Sequence, residues 1–236
     1  MFRDGARMIR EEPILVVRDL SVSYGDREVL HSVSFDVAQG NVVALLGDNG
    51  SGKSTLMKTV AGLVRQVKGD IFVGGKRINK LGAYQRHHLG ISCLIQGGHV
   101  FRNLSVEDNH SLAIANAMVT HGSKHPDLGE LFPELKTFRE SRAGLLSGGQ
   151  RQMLAIEMVL AQQPNLILLD EPLGGLAFSF GSRVLAQITA LARSRGSTVV
   201  LAEQNVDRAR IASDSQIYLG HGTIVKSDDR DPCSKI

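Results

Sequence analysis

The sequence predicts an α/β fold, in which a mainly parallel central sheet is combined with an N-terminal antiparallel β subdomain and a helical insert. Three observations support this fold class. In residues 14–43, short β-favouring runs alternate with turn residues. Two short segments, 42–46 and 166–169, are fully apolar. The pattern in residues 84–142 is typical of helices and loops. A fully apolar run of this length is typical of a parallel strand that is buried on both faces.

The N-terminal part is predicted to contain strands followed by a helix. Turn residues such as Gly25-Asp26 separate the β-favouring runs of residues 14–43, which indicates antiparallel strands joined by hairpins. The apolar strand at 42–46 stops at a glycine-rich loop, and residues 53–64 carry apolar side chains at helical spacing. The predicted order is therefore strand, loop, helix.

The C-terminal part alternates helices with apolar strands. The predicted elements are a helix at 151–162, a strand at 166–169, a helix at 183–195, a strand at 198–202 and a hairpin around 220–222. This alternation is typical of βαβ units. We predict one domain over residues 1–236, with the core and the antiparallel subdomain in 14–83 and 151–225 and the helical insert in about 84–150.

The composition excludes several classes of protein. Of the 236 residues, 42% are hydrophobic and 22% are charged, which argues against disorder and against a disulfide-stapled miniprotein. No stretch approaches the roughly 18 apolar residues of a membrane span, and the N-terminus is too polar for a signal peptide. The net charge of +3 is interspersed and Trp is absent, so nucleic acid is not an expected partner. Cys93 and Cys233 fit free thiols in a reducing compartment.

A glycine-rich loop after the strand at 42–46 matches the pattern G-x-x-x-x-G-K-[ST] of a phosphate site. The predicted nucleotide-binding residues are Gly47, Asp48, Asn49, Gly50, Ser51, Gly52, Lys53, Ser54 and Thr55. Glycines let successive backbone N–H groups turn toward one anion, and the helix N-terminus adds positive potential. We expect Lys53 to reach the outer phosphates and Ser54 to bind Mg²⁺. The alternative is a glycine turn beside a helix.

Two acids, Asp170 and Glu171, follow the second apolar run. Adjacent residues of a strand point to opposite faces, so the two carboxylates can serve different partners. We predict that Asp170 binds Mg²⁺, directly or through water, and that Glu171 orients and deprotonates an attacking water. The alternative is a solvated strand end.

A second anion site is predicted at Ser147, Gly148, Gly149 and Gln150, immediately before the helix at 151–162. A serine and two glycines at a helix start present free backbone N–H groups. The alternative is an ordinary helix cap.

The phosphate loop, LSGGQ at 146–150 and LILLDEP at 166–172 follow one another in the order found in the ATP-binding cassette ATPases. The sequence resembles this family over about residues 14–225. The resemblance implies a P-loop NTPase core that binds ATP and Mg²⁺ and hydrolyses the nucleotide.

The resemblance implies further roles for residues that carry no local signal. Tyr24 stands at the position of the family's adenine-stacking aromatic, with a tyrosine packed on the core as the alternative. Gln96 stands at the position of a glutamine that senses Mg²⁺ and water. Phe101, Leu104 and Val106 correspond to a groove for the coupling helix of a transmembrane partner, with the core of the insert as the alternative.

Two positions depart from the usual family pattern. Gln204 stands where the family has its switch histidine, so we expect its amide to act in catalysis as a hydrogen-bond donor to the γ-phosphate. Ala177 stands where an aspartate is usual and cannot make the carboxylate contact across a dimer. Both changes are similar to the ATPases of bacterial branched-chain amino-acid importers and their urea and short-amide relatives.

The resemblance also implies an assembly. Two ATPase subunits, identical or sibling, are expected to meet head to tail, so that Ser147 of each caps the γ-phosphate held by Lys53 of the other. Separate transmembrane permease subunits and, indirectly, an extracytoplasmic solute-binding protein complete the expected importer at the cytoplasmic face of the plasma membrane. The alternatives are an exporter or lipid-transport ATPase, a soluble cassette ATPase outside transport and a non-hydrolysing regulatory module.

Overall fold

The computed structural model describes residues 13–65, 67–97, 99–115, 126–174 and 178–229, and it contains two sheets. The strands of the first sheet are β1 (Pro13–Tyr24), β2 (Arg27–Ala38), β4 (Val67–Val73) and β5 (Lys76–Arg77). They pair antiparallel in the order β2-β1-β4-β5. The predicted turn at Gly25-Asp26 joins the first two strands, which confirms the hairpin at this end of the chain.

The second sheet is mainly parallel, as predicted. Its strands are β3 (Val42–Leu46), β6 (Ile91–Leu94), β7 (Leu166–Asp170), β8 (Thr198–Glu203), β9 (Ser215–Gly220) and β10 (Thr223–Asp229). Their order is β10-β9-β3-β8-β7-β6, in which β10 runs antiparallel to β9 and the other pairs are parallel. The carboxyl ends of β3, β7 and β8 therefore meet at one edge of the sheet.

Helices pack against both faces of the second sheet. They are α1 (Lys53–Val60), α2 (Ala83–His87), α3 (Val106–Ala115), α4 (Gly148–Ala161), α5 (Phe178–Ser194) and α6 (Val206–Ala212), with 3₁₀ turns at Pro133–Phe138 and Ala143–Leu145. One apolar cluster joins α1 and the antiparallel sheet to one face, and a second joins α3, α4 and α5 to the other. Leu168 belongs to the first cluster and Leu169 to the second, so burial on both faces explains the fully apolar run. In the part of the chain that the structure describes, none of the helices has the length and apolar character needed to span a bilayer.

The structure corrects four predicted boundaries, and the largest difference at a helix end is that α5 begins at Phe178 rather than at residue 183. Strand β6 lies inside the range 84–150 that was predicted as the helical insert, but it pairs with β7 in the main sheet. Helix α4 begins at Gly148 rather than at residue 151, because Ser147 caps it. Helix α1 ends at Val60 rather than at residue 64, since the chain turns at Gly62, whose φ is 81°.

The buried side chain of Arg86, on α2, fixes the end of α1. Arg86 is 2% exposed, and its guanidinium donates to the carbonyl oxygens of Thr59, Val60, Ile78 and Leu81 at 2.6–2.9 Å. Carbonyls at the end of a helix have no intrahelical donor. Arg86 supplies donors there and so secures the helix that starts at the glycine-rich loop.

Replacing Arg86 with methionine is expected to lower the free energy of unfolding by about 2–6 kcal/mol, because the carbonyl oxygens of Val60 and Leu81 lose their donor at a cost of ~1–3 kcal/mol each. The carbonyl oxygens of Thr59 and Ile78 keep a backbone N–H donor. Urea unfolding measures this loss. The matched control is Arg77→Met, since the exposed pair of Arg77 with Asp70 should contribute about 0–1 kcal/mol. Equal losses for the two variants would contradict the structural role of Arg86.

Candidate active site

The glycine-rich loop between β3 and α1 has a backbone shape that only glycine adopts without strain. Its glycines with positive φ are Gly47 at 151°, Gly50 at 79° and Gly52 at 109°. A Cβ atom added to Gly47 would lie 2.1 Å from the carbonyl oxygen of Leu219. The N–H of Gly222 donates to the carbonyl oxygen of Ser51 at 2.9 Å. The hairpin of β9 and β10 therefore packs directly against the predicted phosphate loop.

Lys53, the first residue of α1, is folded over this loop. It is 4% exposed, and its Nζ donates to the carbonyl oxygens of Gly47 at 2.6 Å and Asp48 at 3.0 Å. Gly52 is the N-cap residue of α1 and supplies no capping side chain. The ammonium and the first N–H groups of α1 are thus placed together at the loop, as binding of a phosphate anion requires.

Ser54 and Asp170 lie against each other, although they are distant in sequence. The hydroxyl of Ser54 donates to Oδ1 of Asp170 at 2.9 Å. Burial raises the pKa of the Asp170 carboxyl, and the hydrogen bond from Ser54 opposes that shift. Oδ2 of Asp170 is buried and has no hydrogen-bond partner among the residues described. A hydroxyl and a carboxylate with an unpaired oxygen are hard oxygen ligands of the kind that Mg²⁺ prefers.

The side chain of Glu171 contacts other residues than the side chain of Asp170 does. Its φ is 48°, a left-handed backbone that is uncommon outside glycine. Oε2 accepts a hydrogen bond from Nε2 of Gln96 at 2.8 Å, and Oε1 accepts one from Nε2 of Gln204 at 2.6 Å. Nε2 of Gln204 also donates to Oδ1 of Asn49 at 2.5 Å. The carboxylate thus connects the ends of β6 and β8 with the loop.

These contacts bring together residues that were predicted from four separate segments. The loop, Gln96, the acid pair and Gln204 meet at the carboxyl edge of the second sheet. The sequence did not predict that the side chain of Asn49 bonds to Gln204, because the loop motif uses this position for its backbone. No local signal could have revealed a contact between residues that lie 155 positions apart.

The predicted second anion site begins helix α4. The hydroxyl of Ser147 accepts a hydrogen bond from the N–H of Gln150 at 3.2 Å, and Oε1 of Gln150 accepts one from the N–H of Ser147 at 2.9 Å. This reciprocal pair is a capping box, with Gly148 and Gly149 in the first turn. Within the described ranges, each of these two polar side chains bonds to the backbone N–H of the other residue and not to the phosphate loop.

The remaining predicted positions lie outside this cluster. Tyr24 ends β1 and is 49% exposed, so the alternative of a tyrosine buried in the core is excluded. Phe101 is also exposed, and Leu104 is half-buried. Val106 is fully buried in the second apolar cluster, so its predicted place in a partner groove is wrong. Ala177 lies outside the described residues.

A glycine-rich loop between a parallel strand and a helix, with an acid pair at the same sheet edge, defines a phosphate-loop ATPase. The sequence matches the ABC transporter family over residues 30–174. The chain therefore belongs to the ABC transporter family, as an ATP-binding subunit that hydrolyses ATP.

Relatives and solved structures support this membership. The chain is 37% identical over 206 residues to a probable branched-chain amino acid transport ATP-binding protein, LivF, of Archaeoglobus fulgidus, covering 87% of each chain. It is 38% identical over 212 residues to the high-affinity branched-chain amino acid transport ATP-binding protein BraG of Pseudomonas aeruginosa, covering 89% of this chain and 90% of that one. The lipopolysaccharide export system ATP-binding protein LptB of Haemophilus influenzae is 34% identical, covering 90% and 89%. A solved ATP-binding subunit of an ABC transporter superposes with a TM-score of 0.81 at 27% identity, covering 92% and 90%.

Proposed function

We propose that this chain is the ATPase subunit of an importer for branched-chain amino acids or a related small polar solute, and that it energises transport through a separate permease. The observation that carries the ATPase part is the meeting of Lys53, Ser54, Asp170 and Glu171 at one sheet edge. The names of two relatives at 37% and 38% identity support the substrate class.

The roles proposed for the loop follow from its contacts. ATP places its phosphates in the curve of the loop, where Lys53 exchanges its bonds to two carbonyl oxygens for bonds to phosphate oxygens. The N–H groups from Gly47 to Thr55 supply the remaining donors. Tyr24 offers an exposed ring on which the adenine can stack.

The residues around Asp170 fit a magnesium ion. Ser54 and Asp170 would hold it, and Oδ2 of Asp170 is the buried oxygen without a partner in the described residues. Gln96 uses its amide nitrogen on Glu171, so its carbonyl oxygen is the atom left to serve as a further ligand. When bound, Mg²⁺ supplies positive charge that offsets the charge of the phosphate oxygens.

Glu171 is the proposed catalytic base. As a carboxylate it can orient a water molecule and accept its proton during attack on the γ-phosphate. Gln204 is the proposed donor to that phosphate, because an amide N–H can replace an imidazole N–H. Unlike histidine, this amide does not titrate near neutral pH.

The proposed assembly places the subunit at the cytoplasmic face of the membrane, bound to permease subunits and serving a solute-binding protein indirectly. Two ATPase subunits, identical or sibling, meet head to tail. Ser147, Gly148, Gly149 and Gln150 of one subunit then complete the nucleotide site of the other. The N–H groups in the first turn of α4 support this role, since such groups attract anions.

Uptake in the native host tests the substrate class. Cells in which this chain carries Lys53→Ala are expected to lose at least about 90% of their ATP-dependent uptake of labelled leucine, isoleucine and valine, since the loop can no longer hold ATP. The control variant is Lys76→Ala, an exposed lysine on β5, which should leave uptake unchanged.

The solute whose transport is lost in these cells distinguishes the branched-chain amino-acid importer from the alternative transporters. Loss of urea or short-amide uptake, with branched-chain amino-acid uptake intact, would select the related small polar solute. Unchanged uptake of all these solutes would contradict the importer, and accumulation of an unexported lipid would establish the exporter instead.

A further inference from the structure

The amide of Gln204 bridges the phosphate loop and the acid Glu171. Its single nitrogen, Nε2, donates to Oδ1 of Asn49 at 2.5 Å and to Oε1 of Glu171 at 2.6 Å. A primary amide nitrogen has two hydrogens. Both hydrogens of Gln204 are therefore used in this arrangement, one on each side of the site.

A histidine at this position could not make the same bridge. In a neutral imidazole each ring nitrogen points in its own direction and only one of them carries a hydrogen. The –NH₂ group of Gln204 instead presents two hydrogens from one atom. One N–H of Gln204 can keep its hydrogen bond to Asn49 while the other N–H turns from Glu171 to donate to an incoming phosphate oxygen. That change frees an oxygen of Glu171 to accept a proton from water.

We propose that Asn49 is a positioning residue for ATP hydrolysis, which acts by holding the amide of Gln204 through its side-chain oxygen. This inference rests on the proposed roles of Gln204 and Glu171. With one hydrogen fixed by Asn49, the second hydrogen can point only toward the carboxylate or toward the space next to it. Without Asn49, the exposed amide of Gln204 can rotate away from the reacting groups.

The loop can accept a change at Asn49 without refolding. The positive φ values in the loop belong to Gly47, Gly50 and Gly52, so Asn49 takes an ordinary backbone conformation. Its side chain is exposed. Alanine at this position therefore removes the hydrogen-bond acceptor without strain and without leaving a cavity.

A double-mutant cycle on the full chain tests the proposal, with ATP and Mg²⁺ as the probes and steady-state turnover as the readout. Asn49→Ala is expected to lower kcat by about three- to tenfold, the effect of losing one hydrogen bond, while KM for ATP changes by less than about twofold. Gln204→Ala should lower kcat by about tenfold or more. In the Gln204→Ala background, Asn49→Ala should have almost no further effect, because its partner is gone.

The control is Asp207→Asn, an exposed acid in the first turn of α6 that is three residues from Gln204, and we expect unchanged kcat for it. If the effects of Asn49→Ala and Gln204→Ala on kcat simply multiply, Asn49 does not act through Gln204 and the proposal is overturned. A rise in KM with unchanged kcat would also overturn it, since Asn49 would then contact the nucleotide directly. If Gln204→Ala itself hydrolyses ATP at the wild-type rate, the proposed role of Gln204 is wrong, and the role of Asn49 that rests on it is overturned as well.

Discussion

Lys53→Ala is expected to abolish measurable binding of ATP. Its ammonium is buried against the loop and donates to two backbone carbonyls, so it is already held where phosphate oxygens would replace them. The loss of two charge-assisted hydrogen bonds corresponds to roughly 3–6 kcal/mol, which raises Kd by about 10²- to 10⁴-fold. Titration calorimetry with ATP measures the change.

Lys76→Ala is the control that removes one positive charge from the protein without changing the ammonium at the loop. This exposed lysine lies on β5, in the antiparallel sheet. Its replacement should leave Kd unchanged. Wild-type affinity in Lys53→Ala would mean that the glycine-rich loop does not bind the phosphates, and the ordinary glycine turn would then be the correct interpretation.

Glu171→Gln is expected to lower ATP turnover by about 10²- to 10⁴-fold while ATP still binds. Glutamine keeps the shape of the side chain but cannot accept a proton from water at neutral pH. The new amide keeps one oxygen that can accept from Gln204, and the amide of Gln96 can rotate so that its oxygen accepts from the new nitrogen. ATP should therefore remain intact between two subunits, and gel filtration with ATP and Mg²⁺ should show a dimer.

Glu140→Gln is the control for this variant, because Glu140 is an exposed acid outside the cluster. It should turn over ATP at the wild-type rate. Residual turnover of Glu171→Gln within a few-fold of wild type would remove Glu171 from the role of base. A monomer with ATP would contradict the head-to-tail assembly and leave the chemical role standing.

The sequence predicted those parts of the fold that local patterns determine. Strand β3 occupies residues 42–46 as predicted, because burial on both faces requires an unbroken apolar run. Strand β6 has only four residues, too few for a period to be read, so the local pattern predicts no boundary between it and the helical insert. The sequence predicts the start of α4 too late, since two glycines have low helix propensity and the cap at Ser147 is what allows the helix to begin at Gly148.

For the candidate site, the sequence predicts the residue types but not their partners. The loop motif and the acid pair were recognisable because the spacing of their residues is local. The bonds from Gln204 to Asn49 and Glu171 depend on the order of strands in the sheet, which brings the end of β8 beside the loop after β3. The four bonds of Arg86 to backbone carbonyls have no counterpart in any sequence pattern.

The packing of the C-terminal hairpin on the loop has a consequence for biosynthesis. Strand β3 is made early by the ribosome, but both of its neighbours in the sheet, β8 and β9, are made near the end. The N–H of Gly222, which bonds to Ser51, is made later still. A growing chain therefore carries the whole phosphate motif long before it has the strands that shape it. Until the last part of the chain is made, the face of β3 that carries Ala44 and Leu46 lacks Ala209 of α6, which covers it in the folded domain. Apolar surface exposed in this way favours aggregation of a growing chain.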